Sequence, residues 1–208
     1  MIVQVYGKQF VRLQYGDMVI AYNPPAAESG AKTTKFGSDI ALCSMRTPDY
    51  YGIETVTYGD KEPFVIDGPG AYEVQELPVT GVETWHGEGD NRHLNTVYAI
   101  ELEEMKIVFL GSIDKMDALS ADERDRLGDA DIVFASLGTG LPPSKVYSLA
   151  KSFSPSYIVA IGDGADDELV RKVFLDEANQ SGNQSVDKWT IKPRDLIGKE
   201  AEVVIIQS

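Results

Sequence analysis

Apolar and polar residues alternate through Met1-Ile2-Val3-Gln4-Val5 in the manner of a half-buried strand. Alternating or unbroken apolar runs recur near 9–14, 17–22, 39–43, 63–66, 71–74, 77–85, 95–103, 106–111, 131–136, 156–161, 187–192 and 201–206, and they predict further short strands. Helical signals are fewer. Ser120-Ala121-Asp122-Glu123 has the spacing of a capping box, in which a hydroxyl and a carboxylate satisfy each other's free backbone donors, so a helix is predicted to run to about Leu127 and stop at Gly128. Pro143 opens a second helix, with Val146, Leu149 and Ala150 spaced for one buried face. A third is predicted after Ala165-Asp166-Asp167, with Leu169, Val170, Val173 and Phe174 turned inward and an end near Gly182. This order implies two sheets flanked by helices.

Composition narrows the class. With 208 residues, 43% hydrophobic and 25% charged, the chain can bury a substantial core and is expected to form one domain over 1–208. No apolar run approaches the ~20 residues of a membrane span, and the N-terminal residues lack the basic-then-apolar order of a leader, so the expected location is cytoplasmic. Nineteen basic against 33 acidic residues give 19 − 33 = −14, a charge that repels phosphate backbones and anionic membranes. Neither nucleic acid nor a membrane is an expected partner, and the acidity reads as a solvated surface.

The lone cysteine, Cys43, excludes an internal disulfide and closes an apolar run, Ile40-Ala41-Leu42-Cys43, where packing is expected rather than nucleophilic chemistry. Loops are polar and Gly-rich at 23–37, 87–93 and 138–143. Gly138-Thr139-Gly140 reads as a tight turn. His93 falls in the polar run Asp90-Asn91-Arg92-His93, and it is expected to be exposed and unpaired with His86.

Several segments carry a longer pattern. Ile2 to Tyr6, Gly7, Phe10 to Leu13, Met18 to Tyr22 and Asn23-Pro24 give strand, Gly turn, two strands and an Asx-Pro. Phe64-Val65-Ile66-Asp67-Gly68-Pro69-Gly70-Ala71-Tyr72-Glu73-Val74, Gly81-Val82-Glu83-Thr84-Trp85-His86, Asn95 to Glu101 and Ile107-Val108-Phe109-Leu110-Gly111-Ser112 follow in order. Together they resemble the metallo-β-lactamase superfamily, in its small single-domain bacterial branch of lactonase-like metal-dependent hydrolases. The resemblance implies an α/β (α+β) fold, a four-layer αββα sandwich.

It also locates a site. Where that family places His-x-His-x-Asp-His, this chain has Met45, Thr47, Asp49 and Tyr50; His86 stands at the third histidine, Ser112 at the aspartate that bridges two metals, and Gly162 at the final ligand. Asn23 replaces the usual Asp of the Asp-Pro. Of these seven ligand positions only Asp49 and His86 keep a zinc donor, since methionine sulfur suits copper(I) and neutral hydroxyls hold zinc poorly. The leading expectation is a pseudoenzyme without cofactor, whose floor of Met45, Tyr50 and Tyr51 would suit an unidentified small molecule or protein. The alternative is one divalent cation at a rearranged site of Asp49, His86, Asp114 and Asp163, activating water for ester, lactone or phosphoester hydrolysis. A structural subunit, homo-oligomeric or paired with an active relative, is a third reading.

Overall fold

The computed structural model describes residues 1–31 and 34–207; residues 32 and 33, in the predicted 23–37 loop, lie outside the described residues. The strands are β1 (Ile2–Val5), β2 (Val11–Tyr15), β3 (Met18–Tyr22), β4 (Ile40–Leu42), β5 (Phe64–Ile66), β6 (Gly70–Val74), β7 (Leu77–His86), β8 (His93–Leu102), β9 (Met105–Phe109), β10 (Ile132–Ser136), β11 (Tyr157–Ile161), β12 (Trp189–Thr190) and β13 (Glu202–Ile205). Each falls on a run that the apolar pattern marks.

They form two sheets. One has the order β12-β1-β2-β3-β4-β5 and the other β13-β11-β10-β9-β8-β7-β6. One half of each sheet, β12-β1-β2-β3 and β9-β8-β7-β6, is antiparallel, whereas β3-β4-β5 and β9-β10-β11-β13 run parallel. The inward positions of both sheets, among them Leu13, Ile20, Ile40, Leu42, Ile100 and Ile107, make one apolar layer between them. Tyr22, Phe109 and Phe134 stack through its middle, with ring centroids 4.3 and 4.6 Å apart. Polar groups also join the sheets at one end: the Tyr98 hydroxyl, on β8, lies 3.0 Å from the Cys43 carbonyl just after β4 and 3.2 Å from the Ile66 carbonyl at the end of β5, and Thr96 N donates to the Ser44 carbonyl at 2.8 Å.

Four helices, α1 (Ala121–Leu127), α2 (Pro143–Lys151), α3 (Asp163–Asp166) and α4 (Glu168–Glu177), contribute to a second apolar layer on the outer face of the seven-stranded sheet. The predicted capping box of α1 is formed, with Glu123 N donating to Ser120 Oγ and Ser120 N donating to Glu123 Oε2. The outer face of the six-stranded sheet is closed differently. Ala21 and Ala41, which alternate with the inward Ile20, Tyr22, Ile40 and Leu42, pack with Phe10, Phe36, Ile53 and Val56 from turns and loops. Small side chains there let irregular chain approach the sheet.

α4 departs from its sequence pattern. Leu169 and Val173, expected inward, are 75% and 50% exposed, while Phe174 and Leu175 are buried. The Asp167 side chain accepts from Leu169 N and Val170 N and fixes where the helix starts. Phe174 then meets the Tyr147 ring of α2 edge-on at 5.7 Å, which turns the Leu169 edge toward solvent. The helix ends at Glu177, before Gly182, with Asn179 at φ 56. Asp163–Asp166 forms a single turn that the periodicity does not mark.

Candidate functional site

The strand ends that the family resemblance marks converge at one end of the sandwich. Asn23 follows β3, Ser44 to Tyr50 follow β4, His86 closes β7, Asn95 lies on β8, Ser112 follows β9 and Gly162 follows β11. What links them is a hydrogen-bond network of amides and hydroxyls.

At its centre is Asn23, fully buried. Its Nδ2 donates to Gln9 Oε1 at 3.0 Å and to Ser44 Oγ at 2.9 Å, and its Oδ1 accepts from Ser44 N at 2.7 Å. Gln9, in the turn between β1 and β2, donates from Nε2 to Ser112 Oγ at 2.9 Å and lies 3.4 Å from Tyr50 OH. Ser112 N in turn donates to Asn95 Oδ1 at 2.8 Å, and Asn95 Nδ2 reaches Thr84 Oγ1 at 2.8 Å. Gln9, Asn23, Ser44, Asn95 and Ser112 are all buried, so each such bond also avoids the penalty of an unpaired polar group in a dry interior.

Charge enters beside this network. The Lys8 ammonium is 2.6 Å from Asp49 Oδ1. That hydrogen bond holds the Lys8 pKa above the ordinary lysine range, and Asp163 adds to the negative field around it. Burial pushes the Tyr50 phenol up. Burial likewise raises the Cys43 thiol, which is fully enclosed and stays protonated.

The predicted residues divide into separate groups. Met45 is buried and Thr47 half-buried, its carbonyl accepting from Tyr50 N at 2.9 Å. Met45, Tyr50 and Tyr51 do not form a common floor: Met45 lines a cleft of about 360 Å³ with Arg46, Asp67, Pro69, His93 and Leu94, whereas Tyr50 turns to Gln9 and Tyr51 is exposed. Gly162 sits at φ 91, and a Cβ there would meet the Leu137 carbonyl at 2.5 Å, so the backbone itself excludes a side chain.

Nor do Asp49, His86, Asp114 and Asp163 assemble. Asp49 pairs with Lys8 and Asp163 is exposed, while His86 and Asp114 pair separately, with Nδ1 3.7 Å from Oδ2. His86 Nδ1 is 2.9 Å from the Ser112 carbonyl, and Asp114 Oδ2 accepts from Gly87 N at 2.8 Å. His93 is exposed as expected, but it opens β8 rather than lying in a loop, and it is the cross-strand partner of His86. Strand pairing reaches closer to the connecting turn than the polar run suggests. Trp85, Gly87, Glu88, Arg92 and Lys115 line a second cleft of about 450 Å³.

Two sheets face to face, with helices against one outer face and strand ends converging on one rim, define a metallo-β-lactamase fold. The family model of the beta-lactamase superfamily domain matches residues 3–162, and the chain belongs to that superfamily. The chain is similar in structure to a metallo-beta-lactamase superfamily protein from Thermotoga maritima, with a TM-score of 0.70 and 18% identity over 99% of this chain and 97% of that one. It is also similar to the metallo-beta-lactamase fold protein YhfI from Bacillus subtilis, with a TM-score of 0.59 and 13% identity over 100% and 97%. An isothiocyanate hydrolase from Delia radicum gut bacteria matches with a TM-score of 0.59 and 10% identity over 99% and 96%. No curated protein matches the sequence.

The fold family implies a two-metal centre at this rim, and the residues at its ligand positions do not fit that centre. Ser112 Oγ accepts a hydrogen bond, Asp49 holds an ammonium, and Gly162 has no donor. Among the described residues no three His, Cys, Asp or Glu side chains converge.

Sequence reasoning marked Asn23, Ser112 and Asp49 but missed Lys8 and Gln9. Their only signal is position, beside Gly7 in a short turn.

Proposed function

We propose that the protein is a non-hydrolytic member of the superfamily, a pseudoenzyme that serves as a ligand- or protein-binding module. The observation that carries this reading is the buried network of Gln9, Asn23, Ser44, Asn95 and Ser112. It occupies the rim with neutral groups that already satisfy one another. A metal ion entering there would have to displace these bonds for oxygen and amide donors that zinc binds weakly. The two clefts, one of about 450 Å³ lined by Trp85 and Lys115 and one of about 360 Å³ lined by Met45 and His93, fall in the size range of small-molecule sites. With this reading go one domain over 1–208, a cytoplasmic location and a small-molecule or protein partner.

A second reading rests on a different observation. Asp114 Oδ1 is buried without a hydrogen-bond partner beside His86, so one divalent cation bound there would give that oxygen a partner and support hydrolysis of an ester, lactone or phosphoester.

Elemental analysis of untagged protein, before and after incubation with zinc, manganese and iron, separates the two. The pseudoenzyme reading expects below about a tenth of an equivalent throughout, since a working centre needs at least one ion. Near one equivalent, lost in His86→Ala, would overturn it and start a substrate screen.

A further inference from the structure

The turn between β1 and β2 makes an unusual set of contacts. Lys8 Nζ holds Asp49, and the Lys8 carbonyl accepts from Gly162 N at 2.5 Å. The next side chain, Gln9, binds Ser112 Oγ and approaches Tyr50 OH. Two consecutive residues thus meet Asp49, Tyr50, Ser112 and Gly162, four of the seven positions where the family resemblance places metal ligands. A further contact, from Asn23 to Gln9 Oε1, holds the turn in place from the end of β3. Lys8 itself has φ 47, a left-handed backbone that costs a non-glycine residue about 1 kcal/mol, and it is kept there by the surrounding contacts.

We propose that this turn is an internal plug of the family's metal site, with the Lys8 ammonium taking the place of the metal charge against Asp49. The proposal deepens the non-hydrolytic reading and rests on it. Lysine suits the task because its ammonium is a compact point charge on a long flexible stem, able to reach a carboxylate from a turn on a neighbouring element. Gln9 donates to the Ser112 hydroxyl and accepts from Asn23, and an ammonium, which only donates, could not do both. Charge and hydrogen bonding are therefore divided between adjacent residues of one turn.

The test is a double-mutant cycle of Lys8→Met and Asp49→Asn, read as thermal unfolding in metal-free buffer. Methionine has a similar length and the same backbone cost at φ 47, so the cycle isolates the charge. Lys8 and Asp49 side chains are 26% and 44% exposed, so solvent screens the pair and the expected loss for Lys8→Met is about 1–3 °C. In the Asp49→Asn background the same change should lower Tm by less than half as much, and Lys8→Arg should keep the wild-type Tm. Additive losses would overturn the plug. If Lys8→Met does not fold, soluble Lys8→Met/Asp49→Asn supports the proposal and an insoluble double variant overturns it.

Manganese supplies a further arm. A rise in Tm confined to Lys8→Met supports the plug by showing that the vacated position accepts a cation, and equal rises in wild type and variant count against it. Near-stoichiometric metal on the wild-type protein would remove the non-hydrolytic reading, whereas an additive cycle in a metal-free wild type would remove the plug alone.

Discussion

Asn23→Asp restores the acid that the family resemblance expects before Pro24, and its effect on stability can be worked from the buried network. Asn23 is 0% exposed, at φ 47, a left-handed conformation that Asp tolerates nearly as well as Asn, so the backbone adds little to the comparison. The new carboxylate would keep the donor from Ser44 N at 2.7 Å but face Gln9 Oε1 across 3.0 Å, acceptor against acceptor. Full burial alone raises a carboxyl pKa by up to 3–5 units. With the Ser44 donors offsetting part of this, a rise of about 2 units, from ~3.9 to ~6, is the working value.

Between those two values the folded state retains a proton that the unfolded chain has lost, so the variant loses stability relative to wild type as pH rises. The linkage expression gives a deficit of about 0.5 kcal/mol at pH 4 and about 3 kcal/mol at pH 7 from ionisation. At about 2–4 °C per kcal/mol, the Tm difference should grow from about 1–2 °C at pH 4 to about 6–12 °C at pH 7. Circular-dichroism melts of both proteins at the two pH values measure it, and the subtraction cancels the other carboxylates. A difference that does not change with pH would refute the reasoning, since it would mean that water or a cation reaches position 23.

Two further substitutions probe places where the structure implies opposite signs. Ser136 Oγ is buried without a partner beside a small cavity lined by Leu110, Ile113 and Leu149, so Ser136→Ala should leave urea stability unchanged or raise it by up to about 1 kcal/mol; a loss above that would reveal a partner for the hydroxyl. Ser120→Ala removes the cap of α1 at an exposed position and should cost about 1 kcal/mol in the same titration, with no loss if the helix start is held by packing instead.

The strands were legible because a two-residue period survives in every one of them that faces a core on one side. The α1 boundaries were legible because Ser120, Glu123 and Gly128 are residues whose local chemistry fixes helix ends. α4 shows the limit of periodicity: Leu169 and Val173 have helical spacing with Phe174, but Asp167 and the Tyr147 contact decide which stripe faces inward. The site was legible only as a set of replaced ligands. That Ser112 and Asn23 are joined through Gln9 depends on a turn about a hundred residues before Ser112 in sequence, and no spacing rule links an amide in a turn to a hydroxyl after a strand. The cross-strand pairing of His86 with His93 was hidden for a related reason, because Asp90-Asn91-Arg92 has the composition of a loop and gives no sign of how far the hairpin zips.

Tyr98 gives the architecture a consequence for divergence. Apolar contacts between the sheets are non-directional and tolerate exchange among residues of similar volume. Drift in the sandwich interior therefore need not alter its shape, in keeping with chains that share this fold at 18% identity or less. The phenol of Tyr98 is different, since its hydroxyl must meet the Cys43 and Ile66 carbonyls within about 3 Å. With the Thr96–Ser44 and Gln9–Ser112 bonds, it ties one sheet to the other at the rim where the loops emerge. The interior can change its residues while the rim keeps its alignment, and a fold built this way can lose an old chemistry without losing the geometry on which another could be assembled.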